Sequence, residues 1–177
     1  QKGRLAMDKV LSTILLVVAA VVCVVLVINA VYPAITSSSG ALSSVSASMN
    51  ERIKSQIKII NATGELDSSG NWQDTNSNGY FDVFVWVKNI GTVPVDDIGR
   101  CDVFLAGDST IWTWISYVDY AGGVFPQWSY AIGNSTEWGI ATTLMIEISY
   151  SSPLTSGRYN IKVMIPNGVS DEYDFSM

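Results

Sequence analysis

The stretch LSTILLVVAAVVCVVLVINAVYP, residues 11–33, decides how the rest of the chain is read. Every residue from Ile14 to Ile28 is apolar. Extended back to Val10, the run covers about nineteen residues, nearly enough to cross a bilayer as a helix rising 1.5 Å per residue. Valine dominates it, yet β-branched residues stay helical where no water competes for the backbone. A leader that is cut off after the run fits poorly. Asn29, Ala30, Val31, Tyr32 and Pro33 follow, with no small-x-small cleavage pattern. The run is therefore expected to be retained.

Charge is distributed unevenly around it. Lys2, Arg4 and Lys9 precede the run, Asp8 is the lone acid of the first fifty residues, and no charge occurs between Lys9 and Glu51. The following AITSSSGALSSVSASMNERIKSQIKII is rich in serine and alanine. Its large residues, Ile35, Leu42, Val45, Met49, Ile53 and Ile57, recur at three- or four-residue steps after the first gap. That spacing draws a stripe along a continuing helix of about 50 residues, or 75 Å. Pro33 should bend it and Gly40 soften it. A flexible serine-rich linker is the alternative; the stripe favours the helix, whose small residues would let neighbours approach closely.

KGRLAMDKVLSTILLVVAAVVCVVLVINAV, residues 2–31, resembles the amino-terminal region of archaellins, the archaeal flagellins, which share their helix with type IV pilins. The resemblance covers the first thirty residues in detail. It implies a signal peptide cut on the amino-terminal side of the helix, so that the apolar segment stays and packs among copies of itself. Archaeal pilins, adhesion-filament subunits and archaellum stator proteins share the pattern. One departure is that Gln1, Lys2, Gly3 and Arg4 stand before the apolar residues, where family members begin almost at once; the KG pair reads as the remnant of a processing site.

Beyond Ile57 the period changes from near 3.6 to near 2. FDVFVWVKNIG, RCDVFLAG, TIWTWISYV, TTLMIEISYS and RYNIKVMIP alternate, carry β-branched and aromatic residues, and end in Gly, Pro, Asn or Asp. With no helical pattern between them they predict an antiparallel β-sandwich of immunoglobulin-like type, and VSDEYDFSM reads as a final edge strand. The passage VKNIGTVPVDDIGRCDVFL also resembles a K-N-x-G strand-turn-strand found in archaellin and related surface domains. The expected organisation is α+β: an assembly helix over residues 1–58 and an extracellular sandwich over 59–177. Trp112, Trp114, Tyr117, Tyr120, Trp128 and Tyr130 crowd around YAGGVFPQWSY, mostly for packing, with an exposed aromatic loop there as a second reading.

The sharpest local motif is DTNSNGYFD. Asp74, Asn76 and Asn78 alternate with non-ligands, Gly79 follows for a tight turn, Tyr80 offers a carbonyl and Asp82 an acid. This opens like a calcium loop, although Val85 stands where the bidentate Glu belongs. Structural Ca²⁺ is one reading and a plain hairpin turn the other. Asn61 (in NAT) and Asn134 (in NST) are glycan acceptors by sequence.

Enzymatic readings lack reagents. The chain has no histidine, no phosphate loop, no paired-cysteine motif and no nucleophile elbow. Cys23 and Cys101 read as small buried apolar residues, not as a bridge. The chain carries a net charge of −6 with no basic stripe, against a nucleic-acid partner; nothing suggests a small-molecule substrate.

The reading that results is a non-enzymatic subunit of an extracellular cell-surface filament, most simply an archaellum. It would wait in the membrane as a precursor and polymerise with itself through Leu15, Val18, Val21, Val22, Val25, Leu26 and Ile28. Two alternatives remain open: a membrane-anchored archaellum stator or S-layer-linked sandwich protein, and a static adhesive pilus subunit.

Overall fold

A computed structural model gives the fold, describing residues 2–107, 111–133 and 135–177, with side chains from residue 9 onward. The chain divides into two compact units, Gln1–Ala47 and Ser48–Met177.

Among its described residues the first unit is helix throughout. α1 runs Lys2–Lys54 without a break, straight through Pro33 and the serine-rich stretch. The helix, not the linker, is what forms. Local chemistry helps: Thr13 Oγ1 donates to the Lys9 carbonyl at 2.8 Å, and Ser44 Oγ to that of Ala41 at 2.8 Å. Thr36 Oγ1 donates to the carbonyls of both Pro33 and Tyr32, at 3.0 and 3.1 Å. These three hydroxyls, turned back onto the helix, are satisfied within it. Every described side chain of this unit is exposed.

The stripe expected to end at Ile57 ends earlier. The Ser55 amide makes the last helical bond, to Glu51 O at 2.9 Å. Ile57 then opens β1 (Ile57–Gly64), where Ile57 and Ile59 point inward two residues apart. A four-residue step is also two strand periods, so spacing alone could not tell the elements apart.

The second unit is a β-sandwich. After β1 come β2 (Phe81–Asn89), a 3₁₀ turn (Ile98–Arg100), β3 (Asp102–Ala106), β4 (Trp112–Tyr117), a one-turn α2 (Val118–Ala121), β5 (Gln127–Ile132), β6 (Thr143–Tyr150), β7 (Arg158–Met164) and β8 (Ser170–Ser176). The order across the sheet is β1-β2-β6-β5-β4-β3-β7-β8. All pairings are antiparallel except β4–β5, which touch in parallel at Ser116–Gln127 and Tyr117–Trp128. The sheet folds over so that Val83, Val85 and Ile146 from one half meet Val103, Ile161 and Val163 from the other in one core. These inward residues alternate with outward ones, as a half-buried strand requires.

The predicted α+β build is thus the one adopted, with β8 at an edge. Two strands were not read from sequence: β1, whose start was taken for the helix end, and β5, whose aromatics were read mostly as packing but not assigned to a strand. In β5, Trp128 is 1% exposed and lies 4.8 Å from the Tyr117 ring.

Candidate functional site

Three features of the chain bear on function: the surface of α1, the point where the helix enters the sandwich unit, and the loop before β2.

Leu15, Val18, Val21, Val22, Val25, Leu26 and Ile28 are all between 49 and 69% exposed. They lie on several faces of α1, so the run presents apolar surface all round, as a segment surrounded by lipid or by other helices does. It is long and apolar enough to cross a membrane. Cys23 lies on this exposed surface while Cys101 is buried in the sandwich. The expectation that each is a small buried residue therefore holds for Cys101 and is corrected for Cys23, which nothing in the lone chain covers.

Within the sandwich unit the K-N-x-G passage holds the last helical turn. The amides of Ile90 and Gly91 both donate to Gln56 O at 2.9 Å, and Thr92 N donates to Lys54 O at 2.8 Å. Gly91 is required by space: a Cβ there would stand 2.4 Å from Lys54 O and 2.6 Å from Gln56 N. Asn89, fully buried, braces the turn. Its Nδ2 donates to the carbonyls of Val93 (2.9 Å) and Trp138 (3.2 Å), and its Oδ1 accepts from Gly91 N at 2.9 Å. Arg52 Nη2 adds a bond to Gly168 O at 3.1 Å. Sequence marked the passage as a turn but gave no sign that its partner is the helix end.

The 74–82 loop folds as a series of side chain-to-backbone turns. Asp74 accepts from the amides of Asn78 (3.1 Å) and Gly79 (2.9 Å), Asn76 Oδ1 from Asn78 N (3.0 Å), and Asn78 Oδ1 from Tyr80 N (2.8 Å). The Asn76 and Asn78 amides both donate to Asp82 Oδ2, at 2.9 and 2.8 Å. Of the five predicted ligand residues, the structure brings the side chains of Asn76, Asn78 and Asp82 together. Asp74 faces the turn, and Tyr80 contributes its amide to it.

Beneath the loop lies a carboxylate group that the motif did not reveal. Glu65, 4% exposed, accepts through Oε1 from the amides of Thr75 (2.6 Å) and Asn76 (3.2 Å) and from the Thr75 hydroxyl. Its Oε2 and the Oδ1 of the fully buried Asp82 have no hydrogen-bond partner. Glu147, two residues along β6 from the Asp82 partner Ser149 and so on the same face, shares the Asn78 amide at 3.4 Å. Burial raises the Glu147 pKa, and the charge of Asp82, a hydrogen bond to it and the charge of Glu65 raise it further. Among the described residues no three His, Cys, Asp or Glu side chains are placed to share one metal ion. A cation here would therefore draw on the free oxygens of Asp82 and Glu65 together with amide or water oxygens.

Asn61 is exposed and lies inside β1, at a bulge between Ile59 and Asn61. Asn134 lies outside the described residues. Of the crowded aromatics, Trp128 is core, Tyr117 packs against it, and Trp112, Trp114, Tyr120 and Tyr130 are exposed.

A family profile for archaeal-type flagellin matches residues 8–175. An uncharacterised protein of Archaeoglobus fulgidus is 29% identical over 95% of this chain and 98% of its own length. The sandwich is similar in fold to the archaellum periplasmic stator protein FlaG of Sulfolobus acidocaldarius, at 22% identity and a TM-score of 0.52, covering 68% of this chain and 99% of that one. It is likewise similar to a chain of the stator complex of FlaF and FlaG from that organism, at 22% identity and a TM-score of 0.51, covering 68% and 88%. With a long apolar helix, a β-sandwich after it in the chain and a profile spanning both, the chain belongs to the archaeal-type flagellin family, as an archaellum-related structural protein.

Proposed function

We propose that the chain is a membrane-anchored structural component of the archaellum machinery, a stator-type protein whose sandwich works outside the membrane and catalyses nothing. The observation that carries this reading is the change of surface along α1. One bilayer thickness of uniformly apolar helix gives way, past Pro33, to a serine-rich helix with only a thin line of large side chains. The first part suits lipid and the second suits water. The likeness of the sandwich to two stator structures supports the same reading, and a second stator protein is the partner class it suggests.

The filament reading keeps one observation in its favour: apolar side chains exposed on all sides of α1 can be covered by copies of the helix as well as by lipid. Copies related head to tail without closing would then build an open helical polymer. Detergent extraction of native envelopes separates the two. The anchored protein leaves the membrane as discrete particles. Material that pellets through detergent as long polymers, seen by negative stain, overturns the anchored reading in favour of the filament.

A structural Ca²⁺ at the base of the 74–82 loop is part of the proposal. Asp82 and Glu65 would hold it through the oxygens that lack donors, and it would offset the repulsion that Glu147 meets. Added Ca²⁺ should raise the melting temperature over a chelator control and Asp82→Asn should abolish the difference; no rise in the parent protein removes the ion from the account. A glycan on Asn61 would sit on an exposed strand face, and mass spectrometry of native peptides tests it.

A further inference from the structure

The end of β4, the one-turn α2 and the outer part of β5 bring three tyrosines together along a groove of about 420 Å³. Tyr117 is at the centre. Its ring lies 6.0 Å from that of Tyr130, stacked at 26°, and 5.8 Å from that of Tyr120, edge-on at 63°. The topology explains the cluster. β4 and β5 pair in parallel for two residues only, so past Trp128 nothing of β4 continues beside the second strand. Tyr130, on the Trp128 face, therefore comes out of the core and is 36% exposed. Behind Tyr117 the 3₁₀ turn lies close against the ring: a Cβ on Gly99 would stand 2.9 Å from it. That contact fixes Asp97 and Arg100 at the rim, and the fully buried Trp138 closes a wall.

Four carboxylates line the groove with the rings: Asp96 and Asp97 ahead of the 3₁₀ turn, Asp119 on α2 and Glu137 beside Trp138. One base, Arg100, stands against them. Among the described residues none of these five side chains takes part in an ion pair. The negative field reaches the rings: burial first, and then the charge of Asp119, raises the pKa of the Tyr117 hydroxyl above its ordinary value. Neutral tyrosine faces amid unpaired carboxylates attract a cation twice, through the ring quadrupole and through the charges. We propose that this groove is a docking point for an arginine side chain carried on a loop of a partner protein.

Charge complementarity selects a cation, and the mixture of rings and acids selects arginine. A guanidinium is planar and weakly hydrated, so it can lie on a tyrosine face while its edges donate to carboxylates on either side. A lysine ammonium is a compact, strongly hydrated charge that gains less from a ring. The rim selects a protein over a free amine. Val118, Tyr120 and Val124, on α2 and the turn after it, are 37, 69 and 69% exposed. A small polar cation would leave that apolar surface wet, whereas the residues flanking an arginine in a loop would cover it. Tyrosine and arginine are also the side chains that carry most energy at protein interfaces.

The groove lies wholly within the sandwich unit, so the inference goes beyond the anchored reading and stands apart from it. The test uses the full chain in non-ionic detergent micelles, with the tyrosine rings followed by nuclear magnetic resonance. The probe is the peptide acetyl-Gly-Arg-Gly-Leu-amide, compared with its citrulline analogue (the same shape without the charge) and its lysine analogue. The arginine peptide should shift the signals of Tyr117, Tyr120 and Tyr130 together and saturably. The citrulline peptide should bind about tenfold more weakly, and the lysine peptide about threefold more weakly. Tyr120→Ala, which removes an exposed ring, should weaken the arginine peptide about fivefold with the near-ultraviolet dichroism of the sandwich unchanged. Asp119→Asn with Glu137→Gln should do the same and lessen the weakening by salt. No shift of the three rings, or equal binding of the citrulline peptide, overturns the docking point. Unchanged binding to Tyr120→Ala overturns it too, because the peptide is then drawn to the acidic chain at large. Equal binding of the lysine peptide overturns the choice of arginine.

Discussion

Asn89 offers the most direct test of how the sandwich unit holds the end of α1. Replacing it by alanine removes three hydrogen bonds at once, to Val93 O, to Trp138 O and from Gly91 N, at a site with no solvent contact. Each lost bond costs about 0.5–1.5 kcal/mol, and a buried partner left without a substitute costs towards the upper end. Gly91 N keeps its bond to Gln56 O and Trp138 O its bond from Val95 N, so the upper figure applies to Val93 O alone; the sum is roughly 2–3 kcal/mol, which for a unit of this size lowers the melting temperature by about 6–12 °C. Near-ultraviolet circular dichroism follows the loss, because Trp128 and Trp138 are both buried and report on core order. The measurement is made on the full chain in detergent micelles. A shift within about 3 °C of the parent, the size of one weak bond, would refute the claim that Asn89 is the brace of this turn.

Three further outcomes are expected. Gly91→Ala should cost at least about 2 kcal/mol, because the new methyl meets backbone atoms and cannot be avoided by a rotamer change; faster amide exchange at Ile90–Thr92 would localise it. Glu147 holds its proton to a higher pH when folded than its ordinary 4.5. Between those two pH values the folded state binds more protons than the unfolded one, so stability is full below 4.5 and falls as pH rises through the folded value. Urea midpoints measured in chelator should show that decline, and Glu147→Gln should flatten it. Val21→Glu places a carboxylate mid-run at a cost of about 2.5–3.5 kcal/mol; a roughly hundredfold larger carbonate-soluble fraction is expected, and unchanged membrane retention would argue against a spanning role.

How much of this was legible in the sequence depended on the range of the interaction. The helix was legible through its stripe, and β2, β3, β4, β6, β7 and β8 through alternation, since both signals are local. β5 was passed over although Gln127–Ile132 alternates, with Trp128, Tyr130 and Ile132 on one face; of these only Trp128 is buried, against Tyr117, and Tyr130 is exposed, so the run reads as strand only once its neighbours in space are known. The loop motif pointed to Asp82 but not to Glu65 or Glu147, which arrive from the end of β1 and from β6 respectively, through pairing that no window of residues contains. The brace at Asn89 was half visible: the turn was read, its contact with the helix end was not.

The way the hydroxyls of α1 fold back onto their own carbonyls has a consequence for depth. A serine that has spent its proton on the turn below asks nothing of its surroundings. Moving Thr36 and Ser44 from water into the headgroup layer therefore breaks no hydrogen bond of either hydroxyl. On the anchored reading, these two positions then set no fixed depth for the helix as membrane thickness changes.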